Sequence, residues 1–202
     1  MDFFTLLILA AVGGLILNGQ LQAKRIQLLG LYLAPFHIEP LMRNLNEGYM
    51  RALGENEPER QDQIWQLLHT SERQLAEQLH QFATALGKVP DEDARASLFA
   101  MGLPFAEKLF PQATFDIRAV LQLHAQGIST AVEHSAQPSA KSRARRILAE
   151  MYLLQHTCHW FCKSKAVASA RLLAQHQTRY ESLLDMVCPS TKQAYLRLMQ
   201  AA

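Results

Sequence analysis

The chain has 202 residues, a net charge of +2 and an apolar content of 49%. This length is enough for one helical domain with its own core in addition to an N-terminal segment. A charged fraction of 19% is ordinary for a folded protein and argues against long disorder. Three cysteines do not make a disulfide scaffold, and they suit a reducing compartment.

The small net charge conceals a difference between the two parts of the chain. Residues 1–134 carry ten Lys and Arg against fifteen Asp and Glu, whereas residues 135–202 carry ten against three. A basic C-terminal third points to an anionic partner. The alternative is internal, with the basic helices packed beside the acidic ones.

The first segment, residues 3–17, is a run of fifteen residues without a charge. A helix needs about 20 residues to cross a hydrocarbon core of about 30 Å, and extension of the run to Leu21 gives nineteen. We therefore predict an uncleaved N-terminal membrane anchor over residues 1–21. Its apolar side chains are Phe3, Leu6, Leu7, Ile8, Leu9, Val12, Leu15, Ile16 and Leu17.

Two alternatives to this anchor remain open. A cleaved signal peptide has a positive first region and a small-residue cleavage site, but this chain begins Met1-Asp2 and continues with a poor site after Leu17. A buried core helix of a soluble protein is also compatible with a run of this length.

The charges beside the segment predict its orientation. Lys24 and Arg25 follow it, whereas Asp2 precedes it. Positive residues favour the cytoplasmic side of a membrane. We therefore predict a bacterial inner-membrane protein with its N-terminus outside and the bulk of the chain in the cytoplasm.

Helical periodicity dominates the rest of the chain. Apolar residues recur three and four positions apart over residues 41–53 and, most regularly, over residues 59–86. Gly54 and Pro58 mark a break between these two helices. Residues 22–58 are accordingly interpreted as amphipathic juxtamembrane helices with a linker, and residues 59–202 as a helical bundle domain.

The second half is also predicted to be helical. Apolar residues between 98 and 110 predict two short helices that meet at a kink, and Thr114 is predicted to cap a helix to residue 134. Residues 135–140 are a possible hinge or a simple loop. Two further helices, with a break near residues 163–165, and a final helix follow. The fold class is all-α: an N-terminal transmembrane helix followed by a bundle of about six to eight helices, without strand alternation.

One stretch of the chain combines several metal-ligand residue types. On a helix, Cys158 and Cys162 lie one turn apart with His159 beside them, and His156 is close in sequence. Thiolate and imidazole groups bind zinc or copper, so these residues are weak metal candidates. The alternative is that the cysteines fill the core as small hydrophobic residues. We predict no cofactor and no enzymatic activity, because no common catalytic or nucleotide-binding motif occurs.

A basic run, residues 141–146, opens the C-terminal third. Such a run can neutralise phosphates or contact anionic lipid, at roughly 1 kcal/mol per residue near a membrane surface. The alternative is a solvated helix start. Together with the pair after the anchor, the residues predicted to contact anionic lipid or a partner are Lys24, Arg25, Lys141, Arg143, Arg145 and Arg146.

These features predict a single-pass, membrane-anchored helical adaptor or scaffold, which recruits protein partners in a bacterial envelope-associated assembly. One alternative is a metal- or redox-linked protein that uses His156, Cys158, His159 and Cys162. A second is a membrane-tethered basic domain that binds nucleic acid. The second is disfavoured because aromatic residues that stack on bases are expected among the basic residues. Here Tyr152 and Trp160 lie on the more apolar faces of the helix.

Overall fold

The structure is a computed structural model that describes residues 2–133 and 139–200, apart from the side chain of Ala10. The described part of the chain is all-α, with ten α-helices and one small sheet. The helices are α1 (Phe3–Leu33), α2 (Ile38–Gly54), α3 (Pro58–Leu86), α4 (Asp91–Ala94), α5 (Ala106–Leu109), α6 (Ile117–Glu133), α7 (Ala140–Cys162), α8 (Lys165–His176), α9 (Tyr180–Met186) and α10 (Pro189–Gln200).

Helix α1 is continuous, but its two parts have different surroundings. The large apolar side chains from Phe3 to Leu17 are between 43% and 78% exposed. From Arg25 onward one face of the same helix is buried, and Leu29 belongs to the main hydrophobic core. The helix ends at Leu33, shortly before Pro35, since proline has no backbone N–H with which to continue the helical hydrogen bonds. The apolar segment is therefore a direct extension of a helix that the body holds.

Helix α7 lies at the centre of the body. It packs against α1, α2, α6, α8 and α9, and twelve of its residues are buried. A helix surrounded by neighbours needs no polar face, which explains its weak amphipathic pattern. Its first turn is capped by Ser139, whose hydroxyl oxygen accepts the backbone N–H of Ser142 at 3.2 Å.

The other helices are arranged around α7 in layers. Helix α2 packs on α3, α3 packs on α6, and α6 packs on both α7 and α10. The helix predicted from the strong periodicity of residues 59–86 is confirmed. Helix α3 covers nearly the same residues and buries Leu75, Leu79 and Phe82. These layers place the C-terminal end of α1 against α7 and α3.

The middle of the chain differs from the prediction. Residues 98–110 form an irregular segment and the four-residue helix α5, not two helices. Strand β1 (Arg95–Ser97) precedes this segment, and strand β2 (Thr114–Asp116) follows a 3₁₀ turn after it. The strands pair antiparallel, with Ala96 opposite Phe115. These strands were not predicted from the sequence, because three-residue strands are too short to show alternation.

Several helix ends also differ from the prediction. Thr114 lies in β2, and α6 begins at Ile117. The break near residues 163–165 is confirmed, but a second break at Gln177, whose φ is 51°, separates α9 from α8. The helix count exceeds the predicted range, partly because α4 and α5 have only four residues each. The predicted hinge falls largely on residues 134–138, which lie outside the described residues.

Helices α6 and α7 approach closely at Gly127. A Cβ atom there would lie 2.6 Å from Oγ1 of Thr191 and 2.7 Å from Oε2 of Glu150. Glu150 is buried, and its Oε1 accepts the backbone N–H of Cys188 at 2.8 Å. Burial raises the pKa of the Glu150 carboxyl. The missing side chain at position 127 thus gives space to a buried carboxyl that contacts the start of α10.

We predict that Gly127→Ala destabilises the protein by roughly 1–3 kcal/mol, since the added methyl group overpacks this contact. Gly30→Ala is the matched control, because nothing lies within 4 Å of a Cβ atom at that helical position. It should be neutral or slightly stabilising. Denaturant unfolding of the detergent-solubilised chain, followed by circular dichroism, measures both. Equal stability of the two variants would contradict the proposed close approach.

Candidate functional site

A cavity of about 500 Å³ opens between the C-terminal end of α1 and helices α2, α3, α7 and α8. This volume lies within the range of about 300–1,000 Å³ that is usual for binding pockets. Its buried lining is apolar and includes Leu29, Met42, Phe82 and Met151. Its more exposed lining is polar and includes Glu39, Arg43, Asn46, Gln155 and His176.

One wall of the cavity is held by side chains from three helices. The hydroxyl of Tyr152 donates to Oδ1 of Asn46 at 2.6 Å. The Tyr152 ring stacks on His176 with ring centroids 3.7 Å apart, and Nε2 of His176 donates to Oε1 of Gln155 at 3.2 Å. Burial lowers the pKa of His176. This wall is therefore a neutral aromatic surface that joins α2, α7 and α8.

Two of the predicted metal ligands line the cavity as free thiols. Cys158 and Cys162 lie one turn apart on α7, and both are partly buried. Burial raises the pKa of the Cys158 thiol and raises that of Cys162 to about 11. Because the thiolate is the metal-binding and nucleophilic form, both side chains are unreactive thiols at neutral pH.

The two histidines of the stretch have different surroundings. His159 lines the cavity, and burial together with the charge of Arg171 lowers its pKa. The His156 ring stacks on Tyr180 at a centroid distance of 4.6 Å, and its Nε2 lies 3.1 Å from Oγ of Ser169. No group of three or more His, Cys, Asp and Glu residues within residues 2–133 and 139–200 is placed to hold a metal ion. The described geometry thus gives no support to the metal hypothesis.

A second buried imidazole lies between α6 and α7. His124 of α6 is fully buried, and its Nε2 lies 2.9 Å from Oγ1 of Thr157. The Thr157 hydroxyl donates to the carbonyl of Leu153 at 3.0 Å, so its oxygen accepts from the imidazole. Burial lowers the pKa of His124 to about 3 and that of His156 to about 4. Both imidazoles are therefore neutral at physiological pH.

These two histidines predict a loss of stability in acid. An unfolded histidine has a pKa of about 6.5, so between roughly pH 6.5 and 4 the unfolded chain binds more protons than the folded one. The free energy of unfolding therefore falls as the pH falls through this range. We expect His156→Gln to flatten this dependence in thermal melts of the detergent-solubilised chain.

The matched control is His37→Gln, since His37 is an exposed histidine at the start of α2. Melting temperatures of this control should fall with pH as steeply as those of the native protein. An unchanged slope in His156→Gln would contradict the assignment of His156 as a buried neutral group.

The structure places Arg25 inside the body. Its side chain is buried, 5.5 Å from the ring centroid of Phe161, and its Nη2 donates to the carbonyl of Arg95 at 2.7 Å. Neighbouring Lys24 is exposed and pairs with Asp93 of α4. Arg25 therefore contacts the body itself, because α1 continues into the body beyond the apolar segment.

The basic run at the start of α7 is also divided. Nη2 of Arg143 lies 3.5 Å from a carboxylate oxygen of the buried Glu72, and Nη1 of Arg146 donates to the carbonyl of Val187 at 2.7 Å. Lys141 and Arg145 are exposed. Two of the four charged residues of the basic run therefore form contacts inside the body. This also weakens the nucleic-acid alternative.

The basic run lies far from the apolar segment. Nζ of Lys163 donates to Oε1 of Gln22 at 3.1 Å, and Arg25 lies against Phe161, so α1 and α7 run antiparallel. Residues 141–146 therefore lie about 30 Å along α7 from Lys163, at a rise of about 1.5 Å per residue. This separation does not fit a single surface that contacts both the basic run and the residues after the apolar segment.

The cavity was not predicted from the sequence. Met42 and Phe82 have the periodicity of ordinary core residues, and nothing in this pattern distinguishes a core position beside a void. The polar residues around it come from α2, α7 and α8, and α2 is distant in the chain from the other two. Only the approach of Cys158 and Cys162 to one another was visible, because helical spacing places them on one face.

Comparison with protein-family models, with curated proteins and with solved structures finds no match. In the part of the chain that the structure describes, one helix, α1, is long and apolar enough to cross a membrane, by length and composition. None of its most apolar window is buried in the body. This helix and the cavity are the two features that bear on function.

Proposed function

We propose that this protein is a single-pass membrane protein whose helical body binds a protein partner beside the membrane. The observation that carries the proposal is the continuity of α1, which is exposed and apolar over residues 3–17 and packed into the core from Arg25 onward. An apolar surface of this extent is uncommon on a soluble monomer. A helix satisfies its own backbone hydrogen bonds in lipid, so it suits a bilayer.

The surroundings of α1 favour this proposal over both alternatives. A core helix of a soluble protein is covered by its neighbours, whereas the apolar window of α1 is uncovered. A signal peptide is removed from the mature protein. Here the residues just beyond the window continue the helix and contribute Arg25 and Leu29 to the buried part of the body, which supports retention of the whole helix.

We propose that the body lies on the cytoplasmic side of a bacterial inner membrane. Lys24 and Arg25 follow the apolar segment, and Lys163 lies at the same end of the body through its hydrogen bond to Gln22. Asp2 lies at the other end of the segment. Positive residues near the end of a span favour the cytoplasmic side.

This arrangement predicts the result of a topology test in a bacterial host. The full chain with green fluorescent protein at its C-terminus should be fluorescent, and the corresponding alkaline phosphatase fusion should be inactive. The protein should remain in membranes washed with alkaline carbonate. The double variant Leu9→Arg, Val12→Arg should be extracted, since each Arg costs about 2.5–3.5 kcal/mol at the centre of a span.

The matched control is Leu31→Arg, which adds a charge to an exposed position of the same helix outside the apolar segment. It should stay in the membrane fraction. Extraction of the unmodified chain by carbonate would contradict the anchor. An active phosphatase fusion with dark green fluorescent protein would contradict the orientation alone.

We further propose that the cavity binds apolar side chains of the partner. A buried apolar surface within a polar rim is the usual arrangement of a protein-binding surface. Leu29 and Leu33 lie eight and twelve residues beyond Leu21, which is about 12 and 18 Å along α1. The cavity is therefore clear of the lipid and accessible to a partner beside the membrane.

This proposal predicts different effects of two substitutions on one helix. Leu33 lines the cavity and is partly buried, so Leu33→Glu places a charge within the apolar surface. Leu31 is 71% exposed and does not line the cavity, so Leu31→Glu is the matched control. Proteins recovered with the affinity-tagged full chain from solubilised membranes should be depleted about tenfold or more by Leu33→Glu, equivalent to a loss of about 1.4 kcal/mol.

Leu31→Glu should keep the melting temperature of the native protein within a few degrees, since Leu31 is a surface position. Leu33 is partly buried against the core, so the recovery is compared at a temperature at which thermal melts show both variants folded. A set of bound proteins that is the same for both variants would contradict the role of the cavity and leave the anchor unaffected.

A further inference from the structure

The irregular segment between the two strands exposes an unusual number of large apolar side chains. We call residues 98–110 the apolar loop. Its five exposed members have exposed fractions of 42% to 78% and are Phe99, Met101, Phe105, Leu109 and Phe110.

The apolar loop has a defined conformation. The rings of Phe99 and Phe110 pack edge to face at a centroid distance of 5.8 Å, and the Phe99 N–H donates to Oγ of Ser97 at 3.1 Å. Phe105 has a φ of 58°, an uncommon left-handed conformation for a bulky residue. The aromatic side chains are thus exposed by an ordered backbone, and the strained residue lies at the turn into α5.

The apolar loop lies where α1 leaves the body. A Cβ atom at Gly102 would lie 2.9 Å from the carbonyl oxygen of Lys163 and 3.3 Å from Oδ1 of Asn18. The N–H of Ala166 donates to the carbonyl of Ala100 at 2.9 Å, which joins the loop to the start of α8. Asn18 is the first polar residue after the apolar run, so the loop and the end of that run are at the same level.

The length of the apolar segment requires the bilayer to reach this level. Residues 3–17 give about 22 Å of helix, and residues 3–21 give about 28 Å, compared with a hydrocarbon core of about 30 Å. The segment spans this core only if the bilayer extends to Asn18–Leu21. A polar loop at that level would oppose such an approach, whereas an apolar loop is compatible with it.

We propose that the apolar loop inserts into the membrane interface beside α1, so that the body is attached to the bilayer at two points. This inference rests on the proposed function, because it requires α1 in the membrane. The exposed rings and Met101 occupy the boundary between headgroups and acyl chains, as the apolar faces of interfacial segments do. Nζ of Lys108 lies 5.9 Å from the ring centroid of Phe105, and its long side chain can reach the headgroups.

Depth-dependent fluorescence quenching tests the insertion. The full chain is reconstituted into vesicles of phosphatidylcholine and phosphatidylglycerol whose acyl chains carry bromine, a contact quencher of tryptophan. Met101→Trp should show blue-shifted emission and a loss of intensity relative to vesicles without bromine. The two native tryptophans, Trp65 and Trp160, are 7% and 3% exposed and provide a background that is measured in the unsubstituted chain.

The matched control is Leu67→Trp. Leu67 is 76% exposed, nearly as much as Met101. It lies on α3 about 28 Å along the helix from Leu86. The chain after Leu86 leads to α4, which contacts Lys24 at the end of the body where α1 emerges. Bromine should leave the emission of this variant unchanged. Quenching of Leu67→Trp equal to that of Met101→Trp would overturn the proposal, because it would indicate unspecific adsorption of the body.

A third variant separates failure of this inference from failure of the proposed function. Val12 lies in the middle of the apolar segment, so Val12→Trp should be strongly quenched if α1 crosses the bilayer. Quenched Val12→Trp with unquenched Met101→Trp overturns the insertion of the loop and leaves the anchor intact. Unquenched Val12→Trp overturns both.

If Met101→Trp is protected from aqueous iodide but not quenched by bromine, a second copy of the chain covers the loop, and the lipid assignment is wrong.

Discussion

The contact of Arg25 with α7 and β1 is the interaction on which the rest of the arrangement depends. Its guanidinium lies 5.5 Å from the ring centroid of Phe161 and donates to the carbonyl of Arg95. A buried cation without partners is costly, so these contacts determine the depth and rotation of α1 in the body. Because β1 leads directly into the apolar loop, the same contact places that loop beside the emerging apolar helix. The direction of α1 and the position of the loop therefore have one cause.

The antiparallel packing of α1 and α7 distributes three surfaces along one axis of the body. The apolar loop lies at the end where α1 emerges, the cavity lies beside the C-terminal end of α1, and the exposed Lys141 and Arg145 lie at the far end of α7. In the proposed function these surfaces face the bilayer, a partner beside it and the aqueous phase. Buried neutral histidines at the contacts of α7 make the packing of this central helix sensitive to acid.

Much of the fold could be predicted from periodicity, whereas most of the candidate site could not. Residues 59–86 carry enough apolar repeats to specify α3 almost to its ends. The two strands have three residues each, too few for alternation to be visible. The cavity is a gap between five helices, and its lining residues have the same spacing as core residues. Arg25 was predicted to contact anionic lipid or a partner, because the charge beside an apolar run is informative about topology but not about where the helix ends.

The sequence by itself determined the all-α class, the apolar segment at the N-terminus and the extent of a strongly periodic helix such as α3, because these depend on residues that are neighbours along the chain. Tertiary structure alone decided which charges are buried, what surrounds each Cys and His of α7, and that the apolar residues of the loop lie outside the core beside Asn18. The physical reason is that the partner of a side chain is set by contacts between distant segments. A local pattern records only that a residue is apolar or charged.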